Sequence, residues 1–129
     1  MDERTAPCQR LPQEFRVQEG RLDLTLRLCP QGRDLHAMLT GGDGHAGATA
    51  LAAPGEATLV SERAGHREGA LAGLVAGRLS AGLGCAVSVS CGIHFEAITR
   101  QEIAAVEKLA ARLVEECLFS RHTRSENPC

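Results

Sequence analysis

The chain has no tryptophan and no tyrosine, and only three phenylalanines. Stacking on a planar ligand would therefore fall to Phe95 or to a histidine. Charge of one sign is equally scarce: 14 Lys and Arg stand against 16 Asp and Glu, for a net charge of -2 and a pI of about 6.2. With the basic residues scattered among acids, there is no electrostatic case for binding nucleic acid or a membrane surface. No apolar run approaches the roughly 20 residues of a spanning helix. The opening Met1-Asp2-Glu3-Arg4 is not a signal peptide, so a soluble, cytoplasmic protein is expected. C-x-x-C is missing too. None of the six cysteines has that spacing, which argues against a zinc or redox motif. Reduced thiols are expected, with Cys85 and Cys91 acting as small hydrophobes beside an apolar run.

What is present is periodicity. Arg21 to Cys29 alternates strictly, with Leu22, Leu24, Leu26 and Leu28 on one side and Arg21, Asp23, Thr25 and Arg27 on the other. That is a half-buried strand. Phe15 and Val17, followed by Glu19-Gly20, suggest a preceding strand and a hairpin. Asp34 to Thr40 alternates through Leu35, Ala37 and Leu39 as a third antiparallel strand. His45 to Ala52 reads as a fourth strand of small side chains after a Gly-Gly-Asp-Gly turn, and Ala57 to Ser61 as a fifth. From Arg67 to Ala81 the period changes, with Leu71, Leu74, Val75 and Leu79 on one helical face and a stop at Gly82-Leu83-Gly84. Cys85 to Cys91 alternates again. Thr99-Arg100-Gln101-Glu102 is a capping box. It opens a helix carrying Ile103, Val106, Leu109, Ala110, Leu113, Val114 and Cys117 at helical spacing. Ser120 to Cys129 should fray. The sum is one α+β domain, a mainly antiparallel sheet packed with two main helices. Its ordered core should span about residues 13–119, with polar tails at 1–11 and 120–129.

Three of the five histidines fall in glycine-flanked breaks between these elements: Gly41-Gly42-Asp43-Gly44-His45-Ala46-Gly47, Gly65-His66-Arg67-Glu68-Gly69 and Gly92-Ile93-His94. Glycine permits close backbone approach, and histidine binds metals and carries protons near neutral pH. Each break also has a plain structural explanation. The first can be a hairpin turn or an anion cradle of backbone N–H groups. The second can be an exposed helix start or a phosphate site on Arg67 and the helix terminus. The histidine of the third can be merely structural. Together, Asp43, His45, His66, Glu68 and His94 could supply ligands for a divalent metal or acid/base groups around a planar ligand. With Asp43, His45, His66 and His94 around a catalytic ion, Glu68 would be the base. A small metal-dependent enzyme is one function that fits. The motifs lack the endings of a P-loop or a dinucleotide fingerprint.

Leu39 to Leu51 resembles the Gly-Gly-Asp-x-Pro-His-Ile-Gly-Ala-Val-Ala signature of the small D subunit of gallate and related hydroxyarylic acid decarboxylases. Gly65-His66-Arg67-Glu68 resembles its Gly-His-Lys-Glu. Gly92-Ile93-His94-Phe95, followed by Ile98-Thr99, is similar to its Gly-Ile-His stretch before the last helix. Order and spacing agree over residues of about 20 to 118. The chain departs at Gly44, where the family pattern has proline, and at Glu96-Ala97, where it has Asp-Asn. The resemblance implies a proteasome-assembly-chaperone-like α+β fold, commonly dimeric. It also implies a non-catalytic chaperone that binds prenylated FMN and delivers or matures it for a UbiD-type decarboxylase, with a flavin prenyltransferase as a further partner. Its cofactor-binding residues would be Gly41, Gly42, Asp43, His45, Gly47, Gly65, His66, Arg67, Glu68, His94 and Phe95. Ile93, Phe95 and the alanine-rich strand are candidates for a shielding apolar surface. With so few aromatics, a pocket completed by two copies of the chain is expected. A cofactor-free subunit that only stabilises a decarboxylase remains the other alternative.

Overall fold

The leucine alternation becomes the second strand of a six-stranded sheet. The computed structural model describes residues 13–125, with side chains as far as Arg121. Its elements run β1 (Glu14–Glu19), β2 (Leu22–Gln31), β3 (Asp34–Gly42), β4 (Ala48–Ala52), β5 (Leu59–Glu62), α1 (Gly69–Leu83), β6 (Val87–His94) and α2 (Arg100–Ser125). The predicted α+β class with its mainly antiparallel sheet and two helices holds. The predicted tail 1–11 lies outside the described residues. At the other end α2 continues through Ser125, past the point where fraying was expected, because no helix breaker occurs before Pro128.

Strand order is β1-β2-β3-β6-β4-β5. Every pairing is antiparallel except β3 with β6, which run parallel with His36 level with Ser88. This corrects the hairpin reading of Gly41 to Gly44. β3 and β4 are not neighbours, and the glycine-rich segment between them crosses the end of β6. Asp43 N–H donates to the His94 carbonyl at 3.0 Å and Gly47 N–H to the Cys91 carbonyl at 2.9 Å. The fourth strand accordingly begins at Ala48 and not at His45. The fifth starts at Leu59 and not Ala57, and all four of its residues are exposed at the sheet edge. Cys85 stays out of β6, because its carbonyl accepts the Ser80 hydroxyl at 2.7 Å.

Both helices pack on one face of the sheet, α1 over β4 and β6 and α2 over β1 and β2. Leu24, Leu26, Leu28, Leu35, Leu39, Val87 and Val89 meet Val75, Leu79, Leu113 and Val114 there, all essentially fully buried. Each such side chain contributes about 1.5–3 kcal/mol of transfer free energy. Leu74 does not join them: it is 47% exposed. The buried stripe of α1 is Ala72, Val75, Ala76, Leu79 and Leu83. Its alanines face Ala48, Ala50 and Ala52 of β4, also buried, and small side chains on both elements let the helix sit close. Gly84, in the left-handed conformation at φ 72°, ends α1 by donating to Ser80. Burial pushes the Cys117 thiol up to about 12; burial, with a contribution from nearby Glu68, does the same to Cys91. Cys91 is the buried small hydrophobe expected, Cys117 joins it, and Cys85 is only half-buried.

Candidate functional site: a cavity at the ends of the parallel strands

Because β3 and β6 are parallel, their carboxyl ends reach the same rim, with Gly42 level with His94. β4 starts at this rim and β5 ends there, Ala48 lying opposite Glu62. α1 begins immediately afterwards. The three glycine–histidine segments, distant in sequence, are thereby brought to one place. Crevices outside the carboxyl ends of strands, where connections diverge, are common ligand sites in sheets with parallel pairs. Here the crevice is a cavity of about 770 Å³, within the usual range for small-molecule sites. One wall is apolar: Leu71 of α1, Ile93 of β6, Ile98 of the loop before α2, and Ile103 and Val106 of α2. The opposite end is polar, with Asp43, His45, Arg63, His66, Arg67, Glu68 and His94.

Glu68 is the hub of the polar end. Its Oε2 lies 2.7 Å from His45 Nε2, and its Oε1 3.5 Å from His66 Nδ1. Ile93 N–H donates to Oε2 at 3.2 Å. Burial pushes its pKa upward, but the backbone N–H donors of Ile93 and of Glu68 itself, together with His45, outweigh this and hold it below the ordinary carboxylate value. The two imidazoles sit 5.0 Å apart, tilted by 48°. The ligand-capable atoms of His45, His66 and Glu68 all lie within 4.8 Å of one another. The 2.7 Å approach between His45 and Glu68 is not aligned as a hydrogen bond, and both His45 Nε2 and Glu68 Oε1 are buried with no hydrogen-bond partner. Orphaned buried polar atoms are uncommon and call for an explanation.

Two glycines make this packing feasible. A Cβ on Gly47 would strike the Glu68 carboxylate, and one on Gly92 would run into the His45 carbonyl. Gly92 was not among the expected site residues, although its place in the Gly92-Ile93-His94 motif was the signal that could have found it. Gly41 and Gly42 are close-packed as well. A Cβ on Gly41 would lie 2.8 Å from the Asp23 carbonyl, and one on Gly42, at φ 60°, would meet the His94 carbonyl and the Phe95 ring. They permit strand packing and do not line the cavity. Phe95 is buried beneath them, and β4's alanines face the core. The shielding wall therefore comes from aliphatic side chains of α1, β6 and α2. Ile103, expected in the core, is 45% exposed because it belongs to this wall.

The candidate ligand set is narrowed. His45, His66 and Glu68 come together. Asp43 contributes its backbone carbonyl, 3.1 Å from His45 Nδ1. His94 turns to Glu96, at 3.4 Å. The start of α1 is also less open to an anion than its sequence suggested: Gly69 N–H already donates to the Glu62 carboxylate at 2.7 Å. Arg63, missed by sequence reading, lines the cavity while donating to the Ala46 carbonyl at 2.9 Å. Arg67 lines it too and makes no ion pair among the described residues.

None of the curated proteins matches the chain. A solved structure described as "Crystal Structure of a Novel Chaperone Complex for Yeast 20S Proteasome Assembly" is similar in fold, with a TM-score of 0.51 at 9% identity, over 83% of this chain and 99% of that one. At that identity the likeness is one of architecture, and it is the architecture the sequence resemblance implied. The family described as "Prenylated flavin chaperone LpdD-like domain" matches residues 18–121, a span that holds all three glycine–histidine segments and both walls of the cavity. The chain belongs to the LpdD-like prenylated flavin chaperone family.

Proposed function

We propose that this protein is a non-catalytic accessory chaperone that binds prenylated FMN in the rim cavity and passes it to a UbiD-type decarboxylase, having received it from a flavin prenyltransferase. The observation that carries this reading is the coincidence of family membership with an amphipathic cavity built from the family's own motif segments. The residues suit the group. Arg67, at the polar end, offers a planar cation to a phosphate. Leu71, Ile93, Ile98, Ile103 and Val106 offer a dry surface to a ring system. No phenylalanine lines the cavity, so aromatic contact with a ring would come from His45 or His66. The cofactor, when bound, supplies the electron-rich ring chemistry that the decarboxylase needs, and this chain holds and shields it. The same shortage of aromatics supports a homodimer, and no helix among the described residues is long and apolar enough to cross a membrane. A cytoplasmic setting, where a prenyltransferase would be met, accords with this role.

The decisive experiment is co-expression with a flavin prenyltransferase, followed by anaerobic purification, absorbance and mass spectrometry. Retained prenylated FMN is the expected result. A colourless protein that still activates its decarboxylase would overturn the reading in favour of a purely stabilising subunit. Light scattering on the same sample checks the dimer.

A further inference from the structure

His45, His66 and Glu68 bring two imidazoles and a carboxylate within 4.8 Å of one another at the rim cavity. His45 Nδ1 faces the Asp43 carbonyl at 3.1 Å. A carbonyl oxygen only accepts, so this nitrogen carries the ring proton. In the neutral ring, Nε2 is then an unprotonated lone pair, the form in which imidazole binds metals. Nε2 lies 2.7 Å from Glu68 Oε2, and two such electron-rich atoms are held together by positive charge between them, a proton or a metal ion. Nε2 is buried, and its contact with Glu68 falls outside good hydrogen-bond geometry, so a proton there is poorly used and a metal ion is the other charge that suits the pair. Glu68 Oε1 is the second orphan. Its neighbour, His66 Nδ1, is 3.5 Å away, too far for a good hydrogen bond.

We propose that His45, His66 and Glu68 form a binding site for a first-row divalent transition metal such as Zn²⁺, with two imidazole nitrogens and one carboxylate as ligands and the cavity side left open. Two imidazoles with a carboxylate favour such an ion over calcium or magnesium, which prefer oxygen alone. Tetrahedral zinc–ligand bonds of about 2.0–2.2 Å place neighbouring ligand atoms roughly 3.3–3.6 Å apart. The atoms, spread over as much as 4.8 Å, would close on the ion by side-chain movement, for which the His66 side chain, 27% exposed, has room. The outer support typical of metal sites is already in place: a backbone carbonyl on the far nitrogen of His45 and a backbone N–H on Glu68. The ion's free position faces the cavity, where a water or an anionic oxygen of a guest completes its sphere. The site shares its histidines with the flavin reading but does not rest on it, and the metal alone tests it.

Chelator-treated protein, free of flavin, is titrated with Zn²⁺ by calorimetry and with Co²⁺ by absorption spectroscopy. Saturable binding of one ion per chain is expected, with a Co²⁺ spectrum free of thiolate charge transfer. His66→Gln should weaken Zn²⁺ binding by at least ~100-fold, beyond what loss of an outer-shell partner does. Imidazole NMR signals provide a readout independent of any variant. Zn²⁺ should shift those of His45 and His66 and leave those of His36 and His94 in place. The proposal is overturned by the absence of a saturable site, by thiolate bands that assign the ion to cysteines, by full affinity in His66→Gln, or by shifts confined to other histidines.

Discussion

Gly92 occupies a position that no other residue can fill without moving the backbone. Its missing side chain is what lets the segment around His45 lie across β6, so Gly92→Ala drives a methyl group into the His45 carbonyl. Overpacking of this kind costs about 1–3 kcal/mol. The expected outcome is a clearly lower melting temperature together with loss of ligand retention, read by thermal denaturation and by the absorbance of co-expressed protein. A melting curve unchanged from the parent would show that the segment can lift away from β6 at little cost. Ala97 presents the opposite situation. It is the one non-glycine residue at positive φ, 51°, among the described residues, and it stands where the family pattern has asparagine. Left-handed backbone is costly for alanine and better tolerated by glycine or asparagine. Ala97→Gly should therefore raise stability by about 0.5–1 kcal/mol, measured by urea denaturation. A decrease would mean the backbone relaxes out of that conformation at little cost.

α2 is tied down at its first turn. Glu102 accepts from Thr99 N–H at 3.0 Å while its own N–H donates to Thr99 Oγ1 at 3.0 Å, the capping box read from the sequence. Arg21, at the turn into β2, adds two further hydrogen bonds to the same carboxylate, at 2.9 and 2.8 Å. Arg21 above all, and then the Thr99 N–H, hold the Glu102 carboxyl at about 2, against an ordinary value of 4.5. A folded-state pKa below the unfolded one gives stability that is complete above about 4.5 and lost as the pH falls towards about 2. Glu102→Gln should thus melt earlier than the parent at neutral pH, with the gap closing between those two values. A gap that stays constant with pH would place the effect in packing and not in charge. The local part of this arrangement was legible because a capping box is a four-residue signal. The Arg21 contact was not, since nothing in an exposed arginine on a strand says which distant carboxylate it meets. In the same way the alternating leucines named β2 and its buried face, whereas the helical pattern misassigned Leu74. Facing alanines on β4, invisible to a periodicity argument, moved the buried stripe of α1 onto Ala72 and Ala76.

At the scale of the molecule, strand order was the largest thing the sequence could not disclose. The Val-Ser-Val-Ser alternation of β6 marks a strand with one buried face, but period and composition do not choose neighbours. The glycine–histidine breaks were readable as a shared rim because all three fall at the ends of predicted elements, although each alone also has a structural explanation. Which of the two candidate carboxylates they would meet depended on the crossing over β6, and it is Glu68 and not Asp43. Hydrogen exchange provides a test of the arrangement. β6, flanked on both sides and wholly buried on its inner face, should be protected close to the global limit together with β3 and β4. β5, with four exposed residues at the edge, should exchange first. Equal protection of β5 and β6 would contradict a central β6 and an edge β5. The last strand to be synthesised is thus the one that joins β1-β2-β3 to β4-β5. A nascent chain carries two half-sheets with nothing between them, and pairing across some fifty residues, such as His36 with Ser88, is slow to form. The rim does not exist until that insertion is complete. A chain that holds a ligand there has finished folding, and by mass action the ligand secures both half-sheets at once instead of only the corner it touches.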